Sequence, residues 1–164
     1  MARDDVGRLA RASGLSRRRA AMRRVGLFVA AFLCNPIVTW VQRLVTPAPS
    51  LEVVDEFMTT AHPAAVAVFV VLVVLVVPVC EELLFRGLCW RVLRLVCSAR
   101  VAGVVIALVF AALHGWPAAL WLLPLSAALS YLRSTGTLGD CIAAHGGWNS
   151  GAILLPMGLA WLGF

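Results

Sequence analysis

Two adjacent glutamates, Glu81 and Glu82, lie inside a strongly apolar stretch that runs from residue 69 to residue 96. Carboxylates in a membrane segment are costly, so such residues usually serve a function. Glu82 and Arg86 are four residues apart and share a helix face, which predicts a buried ion pair. Glu81 points about 100° away and is predicted to be the freer carboxylate. The alternative is an inert ion-pair network of all three side chains that only holds helices together.

Two of the three histidines also lie within apolar segments, each with a companion one helical turn away. Phe110 precedes His114 by four residues, and Asn149 follows His145 by four, so each pair shares a helix face. If the chain turns near residues 97–100, two antiparallel helices place Glu81 and His114 at a similar depth. The same simple picture does not bring His145 to that depth.

These residue types predict hydrolysis of a peptide bond inside the membrane. A carboxylate beside a histidine can activate water as a general base. A second histidine and an amide, here His145 and Asn149, can stabilise the oxyanion of the tetrahedral intermediate. Alternatively, Glu81, His114 and His145 can bind a divalent metal such as zinc, which then activates the water. The residues alone leave the cofactor open between none and such a metal.

The composition predicts an all-α, polytopic membrane helix bundle with about five transmembrane helices and a site buried between them. The chain has 164 residues, of which 62% are hydrophobic, and its mean hydropathy is +0.92. Its net charge of +6 does not indicate nucleic acid, because all 14 basic residues are Arg and eight of them precede Val25. This clustering predicts a basic cytoplasmic tail over residues 1–24 and a transmembrane domain over residues 25–164.

Apolar runs and turn residues divide the domain into elements. The predicted spans cover residues 25–42, 63–84 with a continuation toward 96, 101–114 and 117–132. Pro117 is expected at the first position of its helix. A final helix is expected to begin with Asp140 as its N-cap and to run toward Phe164. Residues 46–62 are acidic and predict a loop or an interfacial helix on the far side of the membrane.

Three blocks of residues together resemble a known family. Glu81-Glu82-x-x-x-Arg86-Gly87, Phe110-x-x-x-His114 and His145-x-x-x-Asn149, in this order, are similar to the CPBP family of intramembrane proteases. That family includes the type 2 CAAX prenyl endopeptidase and bacteriocin-processing or immunity proteins. The resemblance covers about residues 64–155, the motif-bearing core.

The resemblance implies a role for each motif residue. Glu81 and His114 would activate the water, His145 and Asn149 would stabilise the oxyanion, and Glu82 and Arg86 would support them. The family is described both as metal-dependent and as glutamic-type, so the metal stays open.

The chain is shorter than most members and resembles compact forms proposed to process C-terminal sorting tags on bacterial surface proteins. This resemblance implies a bacterial cell membrane and a membrane-embedded or membrane-anchored protein or peptide substrate.

Two other classes of function compete with an endopeptidase. A non-catalytic membrane partner or bacteriocin-immunity-type protein would keep the same fold and use the polar cluster for binding, but it would not require the complete set of Glu81, His114, His145 and Asn149. A small transporter would use the carboxylates as a proton relay. The sequence lacks the paired, interrupted helices in two matching halves that many transporters contain.

Overall fold

The protein is all-α, as the sequence predicts. The computed structural model describes residues 2–45, 49–116 and 118–161, and this part of the chain forms six helices and no strand. Pro117 and the expected end at Phe164 lie outside the described residues. The helices are α1 (Ala2–Val45), α2 (Pro49–Thr60), α3 (Pro63–Leu93), α4 (Ala99–Leu113), α5 (Ala118–Thr135) and α6 (Leu138–Trp161).

Two segments are long and apolar enough to cross a membrane by length and composition, Ser16–Val41 and Pro63–Leu93. Their side chains are mostly not covered by protein, which suits helices that face lipid. Helix α4 is apolar but has 15 residues, a rise of about 22 Å against a hydrocarbon layer of about 30 Å. Because α4 is shorter than this layer, His114, which follows the last residue of α4, lies within the layer rather than at its far surface. Gly115, with φ of 72°, then turns the chain sharply.

Helix α1 packs in the bundle and is one continuous helix from Ala2 to Val45. It runs unbroken through residue 24 and through Pro36, and its interface with α6 is the largest between any two helices of the described chain. Arg23 contacts Asp140 at the start of α6, whereas Phe28 contacts Gly147 farther along. Because later residues of α1 contact later residues of α6, the two helices run parallel.

Helices α3 and α4 complete the helix bundle around the site. Val73 contacts Asn149 and Gly87 lies beside Leu138, so α3 runs antiparallel to α6. Glu81 faces His114. Helices α4 and α5 share the second-largest interface. A core cluster that includes Phe85, Trp90, Ile106 and Phe110 joins α3 to α4.

Helix α3 is not uniform, which the sequence did not predict. Two π-helical segments, Leu72–Val76 and Leu83–Cys89, flank the α-helical turn Val77–Glu82 that carries both glutamates. Bonds in a π-segment run from residue i+5 to residue i, and such segments are common at functional sites. The residue five after Val73 is Pro78, which has no N–H to donate. The Val73 carbonyl is therefore left for a side chain from another helix.

The start of α6 corrects one expectation. Helix α6 begins at Leu138, so Thr137 is the N-cap and Asp140 is the third helical residue. The Thr137 N–H donates to Oδ2 of Asp140 at 2.7 Å, and the Asp140 N–H donates to the Thr137 hydroxyl at 3.3 Å. This reciprocal pair is a capping box, which satisfies two backbone donors at once. The prediction that Asp140 is the N-cap is therefore wrong, because Thr137 occupies that position three residues earlier.

Candidate active site

Three helices bring the predicted carboxylate and both histidines to one point. Oε1 of Glu81 on α3 lies 3.8 Å from Nε2 of His114 at the end of α4. Oε2 of the same carboxylate lies 3.6 Å from Nε2 of His145 on α6. The depth of His145, which the sequence could not match, follows from α6 starting only seven residues before it. The side chains of Glu81 and His114 are 25% and 33% uncovered by other protein atoms, so both border open space.

The second glutamate is buried and paired, as predicted. Oε1 of Glu82 accepts hydrogen bonds from Arg86 at 2.8 Å and from Nδ1 of His145 at 2.9 Å. The Arg86 guanidinium also donates to the carbonyl and the hydroxyl of Ser126 on α5, at 3.0 and 2.6 Å. These bonds use both terminal nitrogens of Arg86, whereas its Nε and Oε2 of Glu82 are buried without a hydrogen-bond partner in the described part of the chain. The Glu82 carboxylate thus fixes the orientation of the His145 ring.

The hydrogen bonds also fix which nitrogen of each ring carries the proton. Nδ1 of His114 lies 2.8 Å from the Phe110 carbonyl oxygen, which can only accept. Nδ1 of His145 faces a carboxylate paired with arginine, which also accepts. Both Nδ1 atoms are therefore donors, and in the neutral rings both Nε2 atoms hold lone pairs. The Glu81 carboxylate lies between these two lone pairs. A water molecule there meets three hydrogen-bond acceptors, namely the carboxylate and the two Nε2 atoms, and no donor among these three groups.

Phe110 forms the apolar wall that supports this cluster. Its ring centroid lies 4.7 Å from that of His114 and 5.8 Å from that of His145. The Arg86 guanidinium lies over the same ring, 4.9 Å from its centroid. Phe85 packs edge-on against Phe110. Aromatic and cation–π contacts of this kind add to the burial of apolar area and restrict the rings to one orientation.

Asn149 connects the site to the part of α3 that precedes Glu81. Its Nδ2 donates to the Val73 carbonyl at 2.9 Å, which leaves the second N–H of the amide for another acceptor. Gly146 lets the helices approach here, since a Cβ at that position would lie 3.1 Å from the Val74 carbonyl. The two glycines after His145 were expected to admit a backbone or a substrate. In the structure Gly146 faces α3 and Gly147 faces α1.

A cavity of about 200 Å³ adjoins the cluster. Its polar lining is Glu81, His114, His145 and Asn149, and its remaining walls are apolar side chains of α3 to α6 (Val73, Val77, Phe110, Leu122, Ala152 and Ile153). Apolar walls with a few convergent polar groups are typical of binding and catalytic sites. All four residues predicted to be catalytic therefore face one space.

The same three side chains are the candidate ligands for a divalent metal. Glu81, His114 and His145 offer the donor types that zinc accepts. Nevertheless, no set of three or more His, Cys, Asp or Glu side chains in the described part of the chain is grouped closely enough to hold a metal ion. The positions of these three side chains leave the choice between a metal-dependent and a glutamic-type reaction to experiment.

Three residues that hold the site's helices in place are not evident from the sequence. Ser126 and Arg133, both on α5, bind the guanidinium and the carbonyl oxygen of Arg86, the latter at 2.9 Å. Asp140 binds Arg23 of α1. A buried serine in an apolar helix and a lone aspartate near a helix start were the only signals, and neither identifies its partner.

The fold and the site define a class: an integral membrane protein, built of helices, with a carboxylate and two imidazoles beside a cavity between the helices. A model of the Rce1-like family, described as type II CAAX prenyl endopeptidase Rce1-like, matches residues 63–151, which is more than half of the chain. The chain belongs to this family of intramembrane proteases. No curated protein and no solved structure matches it significantly.

Proposed function

We propose that the protein is an intramembrane endopeptidase that hydrolyses peptide bonds of membrane-associated proteins or peptides with a water activated by Glu81 and His114. The observation that carries this proposal is the position of Glu81, with Nε2 of His114 at 3.8 Å and Nε2 of His145 at 3.6 Å, beside a cavity. A non-catalytic binding partner has no need of three acceptors at the point where water would react.

The first step is attack by water on the scissile carbonyl. Water at the cluster donates to Glu81 and His114, and one of its protons moves to this pair as its oxygen bonds to the carbonyl carbon. The tetrahedral intermediate then breaks its C–N bond. The stored proton moves to the leaving amine, so the site returns to its starting state with one carboxylic acid and one amine released.

Charge on the carbonyl oxygen needs donors, and Asn149 and His145 are the candidates. Asn149 has one amide N–H left after its bond to Val73. His145 can donate from Nε2 only when its ring carries both protons, because Nδ1 already donates toward Glu82. Oε1 of Glu82 accepts the hydrogen bond from Nδ1 of His145 and so orients the ring, as the aspartate does for the histidine of a catalytic triad.

The substrate and location follow from the apolar walls and the charge pattern. A membrane-anchored segment reaches the cavity without leaving the lipid, and C-terminal sorting tags of bacterial surface proteins are one such substrate class. The N-terminus lies in the cytoplasm in this proposal, because eight Arg precede Val25 and further Arg follow α3. A bacterial cell membrane is proposed from the resemblance to compact bacterial members of the family, and the net charge of +6 does not indicate a nucleic-acid partner.

The experiment that tests the proposal compares protein termini. Quantitative mass spectrometry of membrane and surface proteins, from cells with the wild-type chain and with Glu81→Gln, should show uncleaved precursors only in the variant. Identical termini in both samples would reject the peptidase and favour the binding role. Purified enzyme treated with a chelator, and then with zinc, decides metal dependence: unchanged turnover indicates the glutamic-type reaction.

A further inference from the structure

Asp140 is a buried carboxylate outside the proposed catalytic machinery. Its side chain is 1% exposed, and it lies at the start of the helix that carries His145 and Asn149. Its Oδ2 accepts hydrogen bonds from the N–H and the hydroxyl of Thr137, each at 2.7 Å, and its carboxylate also faces two guanidinium groups of α1. A buried carboxylate is stable only when paired and hydrogen-bonded, so these arginines are part of the structure of α6.

The two arginines bind Asp140 from the cytoplasmic end of α1. Arg23 donates to both carboxylate oxygens, with Nε 3.2 Å from Oδ1 and a terminal nitrogen on Oδ2. Nε of Arg24 lies 3.6 Å from Oδ1. A two-pronged arginine–carboxylate contact fixes direction as well as distance. The neighbouring Arg17 and Arg18 are exposed and make no contact of this kind among the described residues.

The turn before α6 is shaped to admit these arginines. A Cβ on Gly136 would lie 2.9 Å from Oδ2 of Asp140 and 3.0 Å from a terminal nitrogen of Arg23, and a Cβ on Gly139 would lie 2.9 Å from Cζ of Arg24. A larger residue at Gly139 would therefore press on the Arg24 guanidinium, and one at Gly136 would press on the contact between Asp140 and Arg23. The segment from Gly136 to Asp140 is thus a cradle for the arginine pair, built from two glycines, the capping threonine and the aspartate.

Farther along, the same two helices touch backbone to backbone. Gly147 lies against the backbone of Phe28, and Gly151 lies against that of Phe32. Small residues four apart allow such close approach between membrane helices. These glycines alternate with the catalytic candidates, because His145 and Asn149 face α3 while Gly147 and Gly151 face α1. Helix α1 therefore supports α6 from behind, and it lies outside residues 63–151, the part that matches the family.

We propose that Arg23, Arg24 and Asp140 form a lock that sets the axial position of α6 and thereby positions His145 and Asn149 against α3. The three are positioning residues, since none reaches the cavity. Asp140 precedes His145 by five residues, about 7.5 Å along the helix. A slip of α6 by one residue moves His145 by about 1.5 Å. Its 2.9 Å contact with Glu82 would not survive that movement.

This inference rests on the proposed function for one of its two readouts. The test compares Arg23→Gln/Arg24→Gln with the matched control Arg17→Gln/Arg18→Gln, which removes the same charge from the same helix. Turnover of a peptide substrate gives the first readout. Because a displacement of about 1 Å can cost about 100-fold in rate, kcat should fall about 10- to 100-fold with KM within about twofold. The control should keep the wild-type kcat.

The second readout does not depend on activity. Cys141 adjoins Asp140 and is fully buried. Maleimide labelling of Cys141 on protein in detergent, measured by mass spectrometry and compared with the wild-type chain and the Arg17→Gln/Arg18→Gln control, should accelerate severalfold in the Arg23→Gln/Arg24→Gln variant only. Arg23→Lys/Arg24→Lys, which keeps both charges, should recover most of the kcat and of the protection.

Each outcome decides the proposal. A Gln double variant that matches the control in both readouts overturns the lock. Faster labelling with unchanged kcat makes the contact structural and rejects the positioning role. If the wild-type chain hydrolyses no substrate, the proposed peptidase function fails. Cys141 labelling then still shows whether the arginines hold α6, so the two failures are distinguishable.

Discussion

Asn149 on α6 donates a hydrogen bond across 2.9 Å to the carbonyl oxygen of Val73, the carbonyl that Pro78 leaves without a helical partner. One of the two amide N–H groups of Asn149 is therefore used to hold α3 against α6. The other N–H is left for the reaction. Two roles of one side chain can be separated, because only the second changes as charge develops on the substrate.

The first prediction concerns this divided role. Asn149→Ala should lower kcat by about 10²–10³ with little change in KM, as the loss of one oxyanion donor does. Asn149→Asp, which keeps the shape but offers no N–H, should lose a similar factor. Single-turnover assays on purified enzyme measure the chemical step. Wild-type turnover in both variants would leave Asn149 as a residue that only packs against Val73.

The second prediction concerns the base. Glu81→Gln should abolish turnover while the protein stays inserted and folded, because the amide keeps the shape of the carboxylate and cannot take the proton from water. Glu56→Gln, at an exposed position of α2, is the matched control and should keep full activity. Turnover near the wild-type rate in Glu81→Gln would remove Glu81 from the mechanism.

The third prediction concerns the buried pair. Arg86→Ala should lower the free energy of unfolding by about 3–5 kcal/mol, because Glu82 stays buried without its main cation. Arg91→Ala, at an exposed position of the same helix, should change stability by less than about 0.5 kcal/mol. Thermal unfolding in detergent compares the two. Equal melting temperatures would mean that His145 alone satisfies Glu82.

The fourth prediction uses two glycines of α6 as a matched pair. A Cβ at Gly147 would overlap the backbone of Phe28, whereas a Cβ at Gly158 meets nothing within 4 Å. Gly147→Ala should therefore destabilise the protein by about 1–3 kcal/mol, as overpacking does. Gly158→Ala should be neutral or stabilising by up to about 1 kcal/mol, because alanine is the better helix former. A stable Gly147→Ala variant would contradict the close α1–α6 contact.

The fifth prediction concerns orientation. With the N-terminus in the cytoplasm, Thr60 at the end of α2 faces outward, and Leu95 just after α3 faces inward. Both positions are exposed, so each accepts a reagent when changed to cysteine. A membrane-impermeant maleimide on intact cells should label Thr60→Cys at once and Leu95→Cys only after lysis. The reverse pattern would invert the topology.

The sequence by itself determined the parts that obey local rules. The Glu82–Arg86 pair follows from a spacing of four on a helix, and the 2.8 Å contact confirms it. The approach of Glu81 to His114 follows from a turn midway between two rigid helices. The apolar composition predicted the all-helical membrane fold, because lipid leaves the backbone no other partner than itself.

Only the tertiary structure decided the contacts between distant segments. Asp140 and Arg23 are 117 residues apart, and Arg86 and Ser126 are 40 apart. No spacing rule joins such residues, because their meeting depends on which helix faces pack. The π-segments of α3 belong to the same class. Pro78 predicts that one N–H is missing from the helix. Only the packed structure shows that the carbonyl left without this donor is that of Val73 and that Asn149 donates to it.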